Sequence, residues 1–186
     1  MTDRRKMIVD AATKSFSLFG YKATTMDQVA KLANVGKGTI YTFFKNKEEL
    51  FEDIVSSMVK EMKAEAERVI QPELPVTENV HRALYRLLEF RSEHQLMLKL
   101  VQEEKEMGTI AVSEMLQHIE DEIIAYIKEK IESAIAKGSI RAIDSEITSF
   151  LLLKMYIALV SDWERHHQPL TSEQIADVMK SFLLKG

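Results

Sequence analysis

Apolar residues return every three or four positions along most of the chain, and the interruptions are chemically distinct enough to mark where helices begin and end. From Asp3 to Phe19, the residues Met7, Ile8, Ala11, Ala12, Phe16 and Phe19 fall on one helical face. Gly20 stops that helix. Thr25-Met-Asp-Gln28 has the form of a capping box, which predicts a short helix from Thr25 or Met26 to Ala33. Asn34-Val35-Gly36 then predicts a tight turn, because Asn tolerates a left-handed backbone, and a helix resumes over Lys37–Phe43. Asn46 is placed to cap the next helix, a long one from Lys47 to about Ile70 with Leu50, Ile54, Met58 and Met62 at four-residue steps; Pro72 and Pro75 end it. Further helices are expected at roughly 76–92, 95–105, 110–137, 144–166 and 172–184. Gly108, Gly138 and Pro169 serve as breaks, Asp144 as an N-cap and Thr171-Ser-Glu-Gln174 as a second capping box. No alternating β-branched run competes, so the expectation is an all-α protein of about nine helices.

Composition supports that picture and narrows it. At 186 residues, 46% hydrophobic, with six Gly and three Pro, the chain can bury a real core as one large domain or two small ones. Zero cysteines exclude a disulfide framework and Cys-ligated zinc. The opening MTDRRKMIVD has no signal-like apolar run and no stretch is long enough to span a bilayer, so a soluble cytoplasmic protein without a membrane partner is expected.

Charge changes the picture more than composition does. The net charge of -4 hides an asymmetry: residues 1–47 carry nine basic and three acidic residues, +6, which leaves -10 on residues 48–186. Within the head, residues 34–47 (NVGKGTIYTFFKNK) contain no acid at all. A basic head on an acidic body points to a polyanion for the head alone, although a short cluster of lysines is also what a solvated helix face looks like.

Two short helices joined by a three-residue turn and preceded by a packing helix form a helix-turn-helix plan, whose second helix enters the major groove of DNA. Gly36 and Gly38 would let the backbone approach closely. Lys37 and Thr39 stand at the end of that helix where base-reading side chains are placed. Tyr41, Lys45 and Lys47 suit phosphate anchoring, Thr25 could add a backbone contact to its capping role, and Thr42 shares the helix. Ile40, Phe43 and Phe44 read as core, packing on Val29, Leu32 and Phe16.

The segment from Ile8 through Phe51 resembles the DNA-binding domain of the TetR/AcrR family of bacterial repressors. The resemblance rests on Gly20-Tyr21, Thr24-Thr25, Ala33-Asn34-Val35, Lys37-Gly38-Thr39-Ile40-Tyr41, Phe43-Phe44 and Lys45-Asn46-Lys47-Glu48-Glu49-Leu50. Asn34 stands for the usual turn glycine and Gly36 for the usual serine cap, both compatible with the same backbone. The resemblance implies a DNA-binding domain at 1–47, a ligand-binding and dimerisation domain at 48–186, a homodimer on an inverted-repeat operator, and release by a small, apolar effector. It also implies a dimer seam on the last two helices, with Phe150, Leu153, Tyr156, Ile157, Val160, Trp163, Ile175, Met179 and Phe182 as candidates. Independently, the helix near 143–166 is apolar on more than one face, which fits either a seam or a central buried helix. Candidate pocket residues are Leu84, Leu88, Met97, Leu100, Val101, Met115, Ile119 and Tyr126, most of which ordinary core packing would equally explain. The alternative reading is a DNA-binding regulator without a small-molecule effector, constitutive or controlled by a protein partner.

Other constellations carry less. His118 and Glu122 share a helix face as a metal pair would, yet a surface pair explains them as well, and no metal or cofactor is expected. His166-His167 suits a helix C-terminus. Glu103, Glu104 and Glu106 make an acidic patch without a partnered nucleophile or phosphate loop, so an enzyme has no constellation to stand on.

Overall fold

The structure, a computed structural model, describes residues 3–171, 173–175, 177–178 and 181, with the side chains of residues 76, 77, 81, 84, 88, 91–93, 160, 161 and 165 outside that set. The described residues are helical without a strand: α1 (Arg4–Phe19), α2 (Met26–Leu32), α3 (Lys37–Phe43), α4 (Lys47–Arg68), α5 (Val76–Glu93), α6 (Gln95–Met107), α7 (Ile110–Ala136) and α8 (Ser145–Ile157).

The predicted caps form as hydrogen bonds. Asp3, which the sequence did not mark as a cap, also accepts from the amides of Arg5 (3.0 Å) and Lys6 (3.3 Å) to start α1. At α2 the Gln28 amide donates to the Thr25 hydroxyl (3.3 Å) while the Thr25 amide donates to the Gln28 side chain (2.9 Å), closing the capping box. Asn34 takes the left-handed backbone at φ 52° and turns the chain into α3. Asn46 accepts from Glu49 N (2.8 Å), Asp144 from Ile147 N (2.9 Å), and Thr171 from Gln174 N (3.2 Å).

One expectation gives way at the C-terminal side. The helix expected over 144–166 is α-helical only to Ile157; residues Ala158–Asp162 widen into a π turn and Trp163–Arg165 tighten into a 3-10 turn. The Trp163 amide reaches back five residues to the Ala158 carbonyl, and its indole N–H donates to the Gln168 carbonyl (3.1 Å). A widened turn rotates the face presented by every later residue, so side-chain spacing read as α-helical past Ile157 misplaces those residues.

The chain divides into two compact units, Met1–Lys60 with Arg91–Ile119, and Glu61–Phe90 with Glu120–Gly186. The first is built around Ile8, Phe16, Val29, Ile40, Leu50, Phe51, Val55, Leu100 and Val112, all essentially inaccessible to solvent. Phe16, Tyr21 and Phe51 form an aromatic triad: Phe16 lies edge-on to Phe51 (5.2 Å between centroids) and Tyr21 packs against Phe51 (4.7 Å). In the second unit, Leu152 and Ile175 are packed by Val80, Ile127, Ile131, Met155, Tyr156, Leu159 and Leu170.

Tyr21 also donates its hydroxyl to the Glu48 carboxylate (2.7 Å), and that bond holds the Glu48 carboxyl below its ordinary range. A group with a lowered folded-state pKa stabilises the fold above its unfolded pKa and loses that contribution as pH falls through the folded value. Tyr21→Phe should therefore cost about 1 kcal/mol at neutral pH in urea titrations, a figure kept small because Glu48 is solvent-exposed, and the difference from wild type should shrink below about pH 4. A difference independent of pH would show that the hydrogen bond does not act through Glu48.

Candidate nucleic-acid interface

The helix-turn-helix segment sits on α1 through Ile8, Ala12, Phe16, Val29, Ala30, Ile40 and Phe44, all buried. Ile40 and Phe44 are core as expected; Phe43 and Leu32 are not, being 40% and 55% exposed. Helical spacing would turn Phe43 and Phe44 to adjoining faces, but the chain leaves the helix at Phe44 (φ -138°, ψ 124°), which turns Phe44 inward and leaves Phe43 outward.

The residues expected to touch DNA fall mostly on open surface. Thr25, Gly36, Lys37, Gly38, Tyr41, Thr42 and Lys45 are exposed and Thr39 is half-buried. The glycines have no internal packing reason to be glycine: a Cβ on Gly38 would meet nothing within 4 Å, and one on Gly36 would make only an ordinary contact of 3.6 Å with the Thr39 hydroxyl. Thr42 donates its hydroxyl to the Thr39 carbonyl (2.7 Å), which leaves its oxygen able to accept. Lys37 reaches across from α3 to Asp27 in the first turn of α2 (2.9 Å), which places the start of α3 beside the Thr25 cap. The hydrogen bond to Asp27 pushes the Lys37 pKa up, so the ammonium is charged throughout the physiological range.

Lys47 is differently placed. Its ammonium donates to the carbonyls of Tyr21 (3.0 Å) and Thr24 (3.1 Å) and lies 4.1 Å from the centroid of the Tyr21 ring. It is thus held by the turn between α1 and α2. Neither that contact nor the Asp27–Lys37 pair has a signature in sequence spacing, because each joins residues on different elements.

The candidate pocket residues differ in placement. Leu100 and Ile119 are buried. Burial, followed by a hydrogen bond to Glu67 (2.6 Å), pushes the Tyr126 hydroxyl up, so it stays protonated and donating. Met97 and Val101 are half-buried, and the side chains of Leu84 and Leu88 lie outside the described residues. A surface cleft of about 240 Å³ is lined by Tyr21, Glu48, Phe51, Glu52, Ala111, Glu114, Met115 and His118; of the expected set only Met115 borders it. Glu122, the other half of the His118 pair, binds Lys63 (2.7 Å). His167 stacks on Trp163 with ring centroids 4.0 Å apart.

The candidate seam divides in two. Phe150 and Trp163 are exposed, together with Ile147 and Leu151, whereas Leu153 and Ile175 are buried within the chain's own core. Tyr156 and Ile157 are half-buried, the side chain of Val160 is outside the described set, and Met179 and Phe182 lie outside it altogether. α8 therefore carries apolar residues on two faces, the inner of which the chain itself covers.

Comparison with known proteins is consistent with this geometry. Residues 8–54 match the model of the bacterial regulatory proteins of the tetR family, and residues 73–186 match the tetracyclin repressor-like C-terminal domain. The chain is 58% identical over 184 residues to the uncharacterized HTH-type transcriptional regulator YhgD of Bacillus subtilis (strain 168), an alignment covering 99% of this chain and 96% of that one. Among solved structures it superposes on the transcriptional regulator FadR from Bacillus subtilis in complex with stearoyl-CoA (TM-score 0.75, 19% identity, 97% of this chain and 98% of that chain). It superposes likewise on a SmeT–triclosan complex (TM-score 0.73, 19% identity, 96% and 88%). With both a helix-turn-helix that presents an open, lysine-bearing reading helix and family models spanning its head and body, the chain belongs to the TetR family of DNA-binding transcriptional regulators.

Proposed function

We propose that this protein is a homodimeric repressor in which residues 1–47 read an inverted-repeat operator and residues 48–186 dimerise and bind a small, apolar effector that releases the DNA. The carrying observation is the outer surface of α3, where Gly36 and Gly38 have no internal need to be glycine and Lys37, Tyr41, Thr42 and Lys45 stand in solvent. In this reading Lys37 leaves Asp27 to donate to a guanine edge, Thr39 offers hydroxyl and methyl to the neighbouring base, and Gly36 and Gly38 admit the phosphate backbone. Tyr41, Thr42 and Lys45 anchor phosphates, and Thr25 adds a contact from α2.

One seven-residue helix reads few base pairs, so two heads on a twofold axis are needed to give a site both length and affinity. The exposed outer face of α8, with Ile147, Phe150 and Leu151, supports a seam there, since a helix covered only by its own chain needs a single apolar stripe. The B. subtilis FadR and SmeT structures hold stearoyl-CoA and triclosan, which supports a small-molecule effector in the same fold. Such an effector needs only about 1–3 kcal/mol of preference for the non-binding conformation to change operator occupancy several-fold. The burial of Leu100 and Ile119 and the Tyr126–Glu67 bond favour the second reading, a regulator without such an effector, because they use up candidate pocket residues.

Operator binding measured by anisotropy tests the DNA reading: Lys37→Ala should cost about 1–3 kcal/mol and relax base preference, while Lys45→Ala should weaken all sequences alike and lower the salt slope by about one. Retained sequence preference in Lys37→Ala would remove it from base reading. Phe150→Arg should give monomers by light scattering, and an unchanged dimer would move the seam off α8. A true effector among apolar compounds, acyl-CoA and triclosan included, should raise the melting temperature and release operator over the same concentration range. A thermal shift without release would favour the effector-free reading.

A further inference from the structure

The turn that leads into α2 is held from both sides by charged side chains of α4 and α6. Glu103 on α6 is a carboxylate only 3% exposed, and it accepts from the amides of Tyr21 (2.6 Å) and Lys22 (2.9 Å), more than eighty positions earlier in the chain. On the opposite side Lys47, at the start of α4, donates to the carbonyls of Tyr21 and Thr24. Two amides of the turn thus donate to α6, and two of its carbonyls accept from α4. Gly20 is part of the same contact: its φ of 86° lies in the region that glycine favours, and a Cβ there would run into the Glu103 carboxylate. Inside the turn the Thr24 hydroxyl donates to the Gly20 carbonyl (2.8 Å) and shares a 2.9 Å hydrogen bond with Ser15. The next residue is Thr25, the cap of α2.

Burying a carboxylate is costly, and two amide hydrogen bonds offset that cost only if the carboxylate is held in one place. Holding it there fixes the turn in turn, and with it the direction in which α2 and α3 leave α1. We propose that Glu103 is a positioning residue for operator binding: through it α6 sets the placement of the reading helix, although no residue of α6 touches DNA. This rests on the operator-binding reading above and deepens it, since any displacement of α6 would then be felt at the turn before α2.

The test uses the full-length protein and its inverted-repeat operator. In Glu103→Gln one carboxylate oxygen becomes an NH2 that faces a backbone N–H, so one amide of the turn loses its acceptor. Operator affinity of the folded variant should fall by about tenfold to a hundredfold. The slope of log affinity against log salt should match wild type, because no phosphate contact has gone. A role in stability alone would lower the melting temperature and leave the affinity of folded protein unchanged well below it; that result, or a loss of affinity with a flattened salt slope, overturns the proposal. Amide hydrogen exchange in the wild type needs no variant: Tyr21 and Lys22 should exchange slowly and more slowly still on operator, and exchange as fast as an open loop overturns the proposal should Glu103→Gln fail to fold. Wild-type protein that binds no inverted repeat removes the operator reading itself, whereas undiminished binding by Glu103→Gln removes only this assignment.

Discussion

Tyr21 is the point on which the arrangement of the head depends. Its ring closes the aromatic triad with Phe16 and Phe51, its hydroxyl bonds Glu48, its carbonyl accepts from Lys47 and its amide donates to Glu103. Three helices, α1, α4 and α6, and the turn that leads into α2 are therefore referenced to one residue. A seven-residue reading helix buries too little to hold itself in place, so its aim has to come from the elements that fix the turn in front of it.

The head divides its polar chemistry accordingly. Lysines that face solvent, Lys37 and Lys45, are available to a polyanion, and Asp27 holds Lys37 near the Thr25 cap. Lys47 and Glu103 do work inside the domain. An exposed ion pair such as Asp27–Lys37 is worth little and breaks easily, so Lys37 can exchange that partner for another. A buried carboxylate on two amides is costly to disturb, which is what a positioning contact requires.

The second unit follows a different logic. α8 buries Leu152 and Leu153 inward and exposes Ile147, Phe150 and Leu151 outward, so it carries apolar residues on two sides. The same unit carries partly exposed ion pairs between its helices, Lys63 with Glu122, Arg86 with Glu65 and Lys154 with Glu120. Apolar periodicity alone gives no hint of these, because each partner lies on a different helix.

The sequence by itself determined the helices, their caps and the reading head. Periodicity, capping boxes and the Asn34 turn are local, set by residues within about four positions of one another, and they reappear in the structure almost residue for residue. It failed at two helix ends, and again where the cause was not local. Helical spacing puts Phe43 in the core, but it stands in solvent because the chain leaves the helix one residue later; after Ile157 the helix widens, with Trp163 bonding five residues back. By sequence Glu103 reads as one member of an acidic patch, and Lys47 as a phosphate anchor beside Tyr41 and Lys45. Only the tertiary structure, by bringing α4 and α6 to the two sides of one turn, decided that the first is buried on the amides of Tyr21 and Lys22 and that the second is spent on carbonyls.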